Sequence, residues 1–261
     1  MRFTIVGNGN VAWHFLHAFN RAGHICTEII GRGAKPLGLQ LPSWSQYKQI
    51  TDGDFKETDI CFVCVNDDQI EEIVQSLHYN QTMVVHCSGT MQLDLLSKFE
   101  RRGIAWPVYS LSKNVPIDYS LMPICIETVD FLNYQAIEQF FSPITKSIHQ
   151  VNQNQRKYLH LSAVFANNFT NHIYTIAAEL CEKQNLSFDL LKPIINQTTE
   201  KVKFTHPSLV QTGPASRHDL HTISSHLDLL DTLPEYKTLY MLMTELIVEK
   251  YGIESNSPQK P

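Results

Sequence analysis

The sequence predicts an α/β chain: a doubly wound, mostly parallel sheet over residues 1–150, followed by an all-α domain over residues 151–261. Three observations predict it. Short apolar runs alternate with helical periodicity up to about residue 150. Those runs are apolar almost throughout, as strands covered on both faces must be. Beyond residue 150 the strand signal stops while wide apolar helical faces continue. With 261 residues, 43% hydrophobic and 18% charged, the chain has apolar material for two domains of ordinary size.

Strands are expected at residues 3–6, 26–30, 60–65, 83–87, 104–108, 124–127 and 147–151. Helices are expected between them at 10–22, 68–77, 92–102 and 131–141. The first helix places Val11, Phe15, Leu16 and Phe19 on one face, the period of a helix lying on a sheet, and Gly23 stops it. In the second half, 153–183 reads as one long helix. Residues 187–203 form another, with Ser187 as a plausible N-cap and Pro193 either opening a new turn or kinking it. Helices at 219–230 and 235–251 follow a loop holding Pro207 and Gly213-Pro214, and the tail at 255–261 reads as disordered. The apolar excess of these helices predicts a homodimer formed through the helical domain.

A formal net charge of −5 and the lack of a Lys/Arg cluster beyond Arg101-Arg102 exclude a nucleic-acid partner as an expectation. No segment approaches the roughly 20 apolar residues of a membrane span, and Met1–Gly7 is too short for a signal peptide. The expectation is a soluble, cytoplasmic protein without a membrane partner. Of six cysteines, Cys61 and Cys64 stand three apart on a strand, so they face opposite ways and cannot share a metal. The others fall mostly in apolar elements, where a free thiol is a small hydrophobe in a reducing compartment.

Gly7-Asn8-Gly9-Asn10-Val11-Ala12 stands between the first strand and the first helix. This is the G-x-G-x-x-G/A arrangement in its required context. Gly7 permits the tight turn, Gly9 lets a pyrophosphate approach the backbone, and Ala12 permits close helix–strand packing. The helix N-terminus offers free N–H groups to the anion. A Rossmann domain binding a dinucleotide follows, with Gly7, Asn8, Gly9, Asn10 and Val11 as cofactor contacts. At the end of the second strand, Ile30-Gly31-Arg32-Gly33 lacks the acid that NAD or adenosylmethionine sites use for ribose hydroxyls. Arg32 instead suits a 2′-phosphate, favouring NADP over NAD; the bland alternative is a solvated loop arginine. Val65, Asn66 and Asp67 end the 60–65 strand, where they can meet the cofactor, while Asp68 can equally be an N-cap.

His86-Cys87-Ser88-Gly89-Thr90 ends the 83–87 strand, putting an imidazole and a hydroxyl at a carboxyl end. The competing reading buries His86 and lets Ser88 or Thr90 cap the next helix. Trp106-Pro107 either walls the nicotinamide pocket or is core. On the long helix, His160 aligns roughly with Asn167, Asn168 and Asn171, a polar stripe that lines a cleft or satisfies other helices. In Thr212–Asp219, Arg217 is suited to clamp an anionic substrate; alternatively Arg217 and Asp219 pair structurally. His218, His221 and Asp219 match no common metal spacing, and no metal is expected.

Taken together, the 7–12 loop, His86–Gly89, His160–Asn168 and Gly213–Asp219 with Thr222 and His226 resemble a bacterial family described as NADP oxidoreductases. Its members join a Rossmann-like domain to a helical domain of unknown function, and they are relatives of the 6-phosphogluconate and β-hydroxyacid dehydrogenases. The resemblance reaches to about residue 250. It implies hydride transfer between NADP and a small polar, anionic carbonyl or hydroxy compound, with a dimer-forming helical domain. It places Ser88 against substrate; Asn168, Arg217 and Asp219 are the further substrate-binding candidates from the residues themselves. The superfamily's lysine general acid/base stands four residues before an asparagine; here those positions are Ala163 and Val164, and Trp106 stands where His-Pro is usual. Proton transfer would therefore fall to His160 or His86. The rival reading is a dinucleotide-binding sensor or scaffold without catalysis. An adenosylmethionine-dependent transferase is disfavoured by Gly31-Arg32.

Overall fold

The computed structural model describes residues 1–33, 45–53, 55–113 and 115–251; the expected disordered tail lies outside them. Packing divides the chain into two units, Met1–Phe169 and Thr170–Pro261.

The first unit is built on β1 (Arg2–Val6), β2 (Ile25–Gly31), β3 (Gln46–Gln49), β4 (Ile60–Val63), β5 (Met83–His86), β6 (Arg102–Pro107), β7 (Ile124–Thr128) and β8 (Ile148–Gln150). They form one sheet in the order β3-β2-β1-β4-β5-β6-β7-β8. Every neighbouring pair is parallel except β6 with β7. The predicted mostly parallel, Rossmann-type sheet is thus present. The chain runs outward from β1 to β3 and then returns to β4 on the other side of β1. That reversal opens a crevice at the carboxyl ends of β1 and β4, where such sheets bind ligands.

Alternation along the strands feeds two cores. Phe3, Ile5 and Phe62 pack with Phe15 and Phe19 of α1 (Asn10–Arg21) and with Phe140 and Phe141 of α3 (Phe131–Phe141). Val6, Cys61 and Val63 pack on the opposite face with Ile70, Ile73 and Val74 of α2 (Ile70–Ser76). Cys61 and Cys64 do face opposite ways, one in each core.

Two elements depart from expectation. β3, Gln-Tyr-Lys-Gln, has no apolar pattern and enters the sheet by backbone pairing with β2 and the Lys48–Glu28 ion pair. The helix expected at 92–102 shrinks to a 3-10 turn, Leu93–Leu96. Met91 O accepts from Arg156 Nη2 at 2.7 Å, and Gln92 O is shared between His86 Nε2 at 3.3 Å and Leu95 N at 3.4 Å.

The helix expected at 153–183 is also interrupted. α4 (Gln153–Ala163) passes into a π segment (Val164–Phe169) before α5 (Thr170–Glu182). Residues 153–169 are helical, as expected of the second domain, but pack within the first unit. Arg156 of α4, ion-paired with Glu127 of β7 at 3.0 Å, accounts for this.

The second unit holds α5, α6 (Lys192–Phe204), α7 (Leu220–Leu229) and α8 (Pro234–Tyr251). The Ser187 hydroxyl accepts from Asp189 N and starts the 3-10 turn leading to α6. Pro193 sits in the first turn of α6, where it opens the helix rather than kinking it. Among the described residues of this unit, only Ile176, Ala215 and Leu230 are buried hydrophobics. No helix among the described residues is long and apolar enough to cross a membrane.

Candidate functional site

The loop between β1 and α1 is sterically specified at Gly7. Its φ is +116°, and a Cβ there would overlap the Cys64 carbonyl oxygen. Its N–H donates to Ile30 O at 2.8 Å, tying β1 to the end of β2. Gly9, the N-cap of α1, differs: a Cβ on it would meet nothing within 4 Å. It brings no side chain to cap the helix, and the first turn of α1 contains no acid. The first N–H groups of α1 therefore face open space with their positive dipole end uncompensated, which suits an anion. Asn10 accepts from Lys113 N at 3.3 Å, and Val11 packs at the edge of the core.

A cavity of about 270 Å³ lies over this loop, lined by Gly7, Asn8, Gly9, Arg32, Val65 and Asn66 among others. Arg32 is exposed at its rim. The carboxylate nearest in sequence, Glu28, sits in mid-β2, fully buried, ion-paired to Lys48 at 3.2 Å and accepting from Lys56 N at 3.0 Å. It is turned into the protein and does not line the cavity, so the cationic rim stands. Tyr47 of β3 covers Gly31 and donates to Gly33 O at 2.9 Å.

A second cavity of about 490 Å³ shares Gly9, Val65 and Asn66 with the first. It adds Asn10, Val11, Asp67, Ser88, Gly89, Trp106, Tyr109 and His160. A third, about 660 Å³, shares Trp106 and His160 and adds Ala163, Val164, Asn167 and Asn168. The three follow one another from the carboxyl ends of β1 and β2, past β4 and β5, to α4 and the π segment. Such segments insert an extra residue into a helix and often stand at functional sites. Here the insertion resets the face that carries Asn167 and Asn168, yet both asparagines share a cavity with His160.

The loop after β5 is held from several sides. Ser88 Oγ accepts from Thr90 N at 3.1 Å and Met91 N at 3.0 Å, while Ser88 lines the second cavity. It caps a turn and faces the cavity at once, so both readings of the sequence apply. Thr90 Oγ1 donates to Asp67 at 2.5 Å, linking this loop to the end of β4. Asp68 lies inside the 3-10 turn Asp67–Gln69, and no side chain caps α2.

His86, a sequence candidate for proton transfer, is fully buried and lines none of these cavities. Nδ1 accepts from Ser88 N at 3.2 Å and Nε2 donates to Gln92 O at 3.3 Å. Burial, aided by the nearby Arg156 charge, pushes its pKa down to about 4. A neutral ring with both nitrogens engaged orders the loop and has no site left for substrate, which corrects the catalytic expectation for His86. His160 is the imidazole that faces the cavity. It lies 5.5 Å from the Trp106 ring and so close to Gly89 that a Cβ there would come within 2.5 Å of its Cδ2.

Sequence reasoning missed Arg156. It is fully buried, with Nε donating to Glu127, Nη1 to Ser88 O at 3.2 Å and Nη2 to Met91 O at 2.7 Å. The available signal was its spacing: Arg156 and His160 are one turn apart on α4 and so reach the same loop. Also missed was the contact of Cys64 with Cys87, whose sulfurs lie 3.6 Å apart across β4 and β5. Burial pushes the Cys64 thiol well above its ordinary range, so it is not a nucleophile.

Arg217 and Asp219 belong to the second unit. Arg217 is exposed in the 3-10 turn Ala215–Arg217. Asp219 caps α7, accepting from Thr222 N at 3.0 Å and Thr222 Oγ1 at 2.8 Å, and these bonds hold its carboxyl below the usual range. Its oxygens are engaged in the cap.

A family model described as a domain of unknown function, DUF2520, matches residues 122–247. Among solved structures, a putative NADP oxidoreductase from Bacteroides fragilis is 28% identical, with a TM-score of 0.82 over 95% of this chain and 98% of its own. A protein from Thermotoga maritima is 19% identical, with a TM-score of 0.75 over 96% and 98%. Pyrroline carboxylate reductase from Plasmodium falciparum, solved with NADP bound, is 14% identical, with a TM-score of 0.59 over 96% and 97%. The last two are likenesses of fold. No curated protein matches the chain. The resemblance read from the sequence, a Rossmann-like domain joined to a helical domain of unknown function, is borne out.

Proposed function

We propose that the chain is an NADP-dependent oxidoreductase acting on a small polar carbonyl or hydroxy compound. One observation carries it. Gly7 is wedged against the Cys64 carbonyl while Gly9 is open, so the backbone of α1 is bared to an anion beside Arg32. These residues fit a dinucleotide diphosphate with a further phosphate at the rim. The Bacteroides fragilis and Plasmodium falciparum likenesses support the same cofactor class.

NADP, when bound, supplies the hydride chemistry. The chain does the rest. Gly9 and the first turn of α1 hold the diphosphate, Arg32 meets the 2′-phosphate, and Asn66 and Asp67 face the ribose and nicotinamide side. Ser88 orients a substrate oxygen, and His160 exchanges the proton in place of the lysine absent at Ala163 and Val164. Asn168 lines the far end of the same trough. The helical unit pairs with that of a second copy, which covers its exposed apolar faces.

Melting shifts with NADP, NAD and adenosylmethionine, followed by a panel of small carbonyl and hydroxy compounds, test the reading. NADP should give the largest shift. His160→Ala should cut turnover by about 100-fold or more, the scale of general acid–base catalysis, with NADP affinity nearly unchanged. NADP binding without turnover of any panel member would favour a dinucleotide sensor instead.

A further inference from the structure

The loop from Ser88 to Met91 carries the hydroxyl and the glycine that face the proposed substrate, and its carbonyls are held by a side chain from another element. Ser88 Oγ closes the turn internally. Outside the turn, His86 accepts from Ser88 N, and Asp67 accepts from Thr90. Its first and last carbonyls, Ser88 O and Met91 O, are both taken by one side chain, Arg156. A guanidinium is planar and presents its donors in a rigid fork, so two carbonyls three residues apart are held in one plane at once. The third bond of the fork goes to Glu127 of β7, which fixes the guanidinium itself. No part of Arg156 is exposed. Burying an always-charged group is costly, and one carboxylate and two carbonyls are what offset it.

We propose that Arg156 is the positioning residue of the site: anchored by Glu127, it clamps the Ser88–Met91 loop and thereby sets the Ser88 hydroxyl against His160, one turn along α4. The proposal rests on the reading that Ser88 and His160 face the substrate. Any two buried carbonyls would satisfy the remaining guanidinium donors. The two carbonyl bonds go to the loop that presents Ser88.

Two full-length variants test it. In Arg156→Met with Glu127→Leu, both buried charges leave together, which removes the penalty of an orphaned partner. In Arg156→Lys, the charge and the Glu127 pair remain but the fork is lost. Three measurements apply to each: amide exchange of residues 86–92, the pH titration of the Trp106 indole resonance, and NADP affinity. The clamp predicts exchange at Thr90 and Met91 at least tenfold faster in both variants, with other peptides unchanged. The Trp106 signal should shift, because its ring lies against Gly89 and His160, while NADP affinity should stay within about threefold. With the best panel substrate, kcat should fall at least tenfold. Wild-type exchange at 88–91 in either folded variant would overturn the clamp. If the wild-type protein binds no NADP, the oxidoreductase reading falls, while the exchange measurement still decides the clamp.

Discussion

Replacing Gly7 with alanine would drive a Cβ onto the Cys64 carbonyl oxygen and hold an L-residue at φ +116°. Strain of this kind costs on the order of 1–3 kcal/mol, so Gly7→Ala should lower the midpoint of urea unfolding as well as abolish NADP binding. Arg32 is a different case, since it is exposed at the rim of the cavity. Arg32→Ser should leave stability alone and weaken NADP binding by about 10–100-fold, the worth of a charge-assisted hydrogen bond, with NAD affinity little changed. His86 gives a pH signature. Its folded pKa of about 4 lies below the unfolded value of 6.5, so the unfolded chain takes up the proton first on acidification. Stability should therefore be full above pH 6.5 and fall as the pH drops toward 4, by on the order of 3 kcal/mol from this group. Urea midpoints measured from pH 7.5 to 4.5 should show this slope, and His86→Gln should flatten it.

Legibility varied by element in a way that hydrophobic patterning explains. β4 is apolar at every position and β1 and β5 at most of theirs, and α1 has a clean stripe, so their places could be read within a residue or two. β3 could not, because its side chains carry no pattern, and its pairing and ion pair with β2 are tertiary. The 92–102 segment has helical periodicity, but Met91 O is taken by Arg156 and Gln92 O is shared with His86, residues distant in sequence or on another element. The site divides the same way. The 7–12 loop is local and was readable, and Ser88 and His160 were each legible as separate candidates from residue type and place on an element. The bonds that hold them, from Arg156 on α4 and Glu127 on β7, are tertiary and left no local trace. Asp219 shows how one residue supports two readings: its position before a helix signalled a cap as well as a binding group, and its oxygens serve the cap. Asp219→Ala should remove this N-cap and lower the melting temperature.

At the scale of the molecule, the first unit closes two cores on its sheet, whereas the helical unit buries only three hydrophobic side chains among its described residues. Phe204 is 86% exposed and Leu229 76%. Faces of this kind mark association surfaces. A second copy is the proposed cover, so the chain should sediment at twice its mass, and Leu229→Glu should shift it toward monomer. All of this hangs on whether the trough at the sheet's carboxyl edge takes a dinucleotide. Calorimetric titration of the full-length protein with NADP and then NAD decides that most directly. The account predicts saturable NADP binding at least tenfold tighter than NAD, with the difference erased in Arg32→Ser. Absence of heat with either coenzyme at millimolar concentration would contradict it.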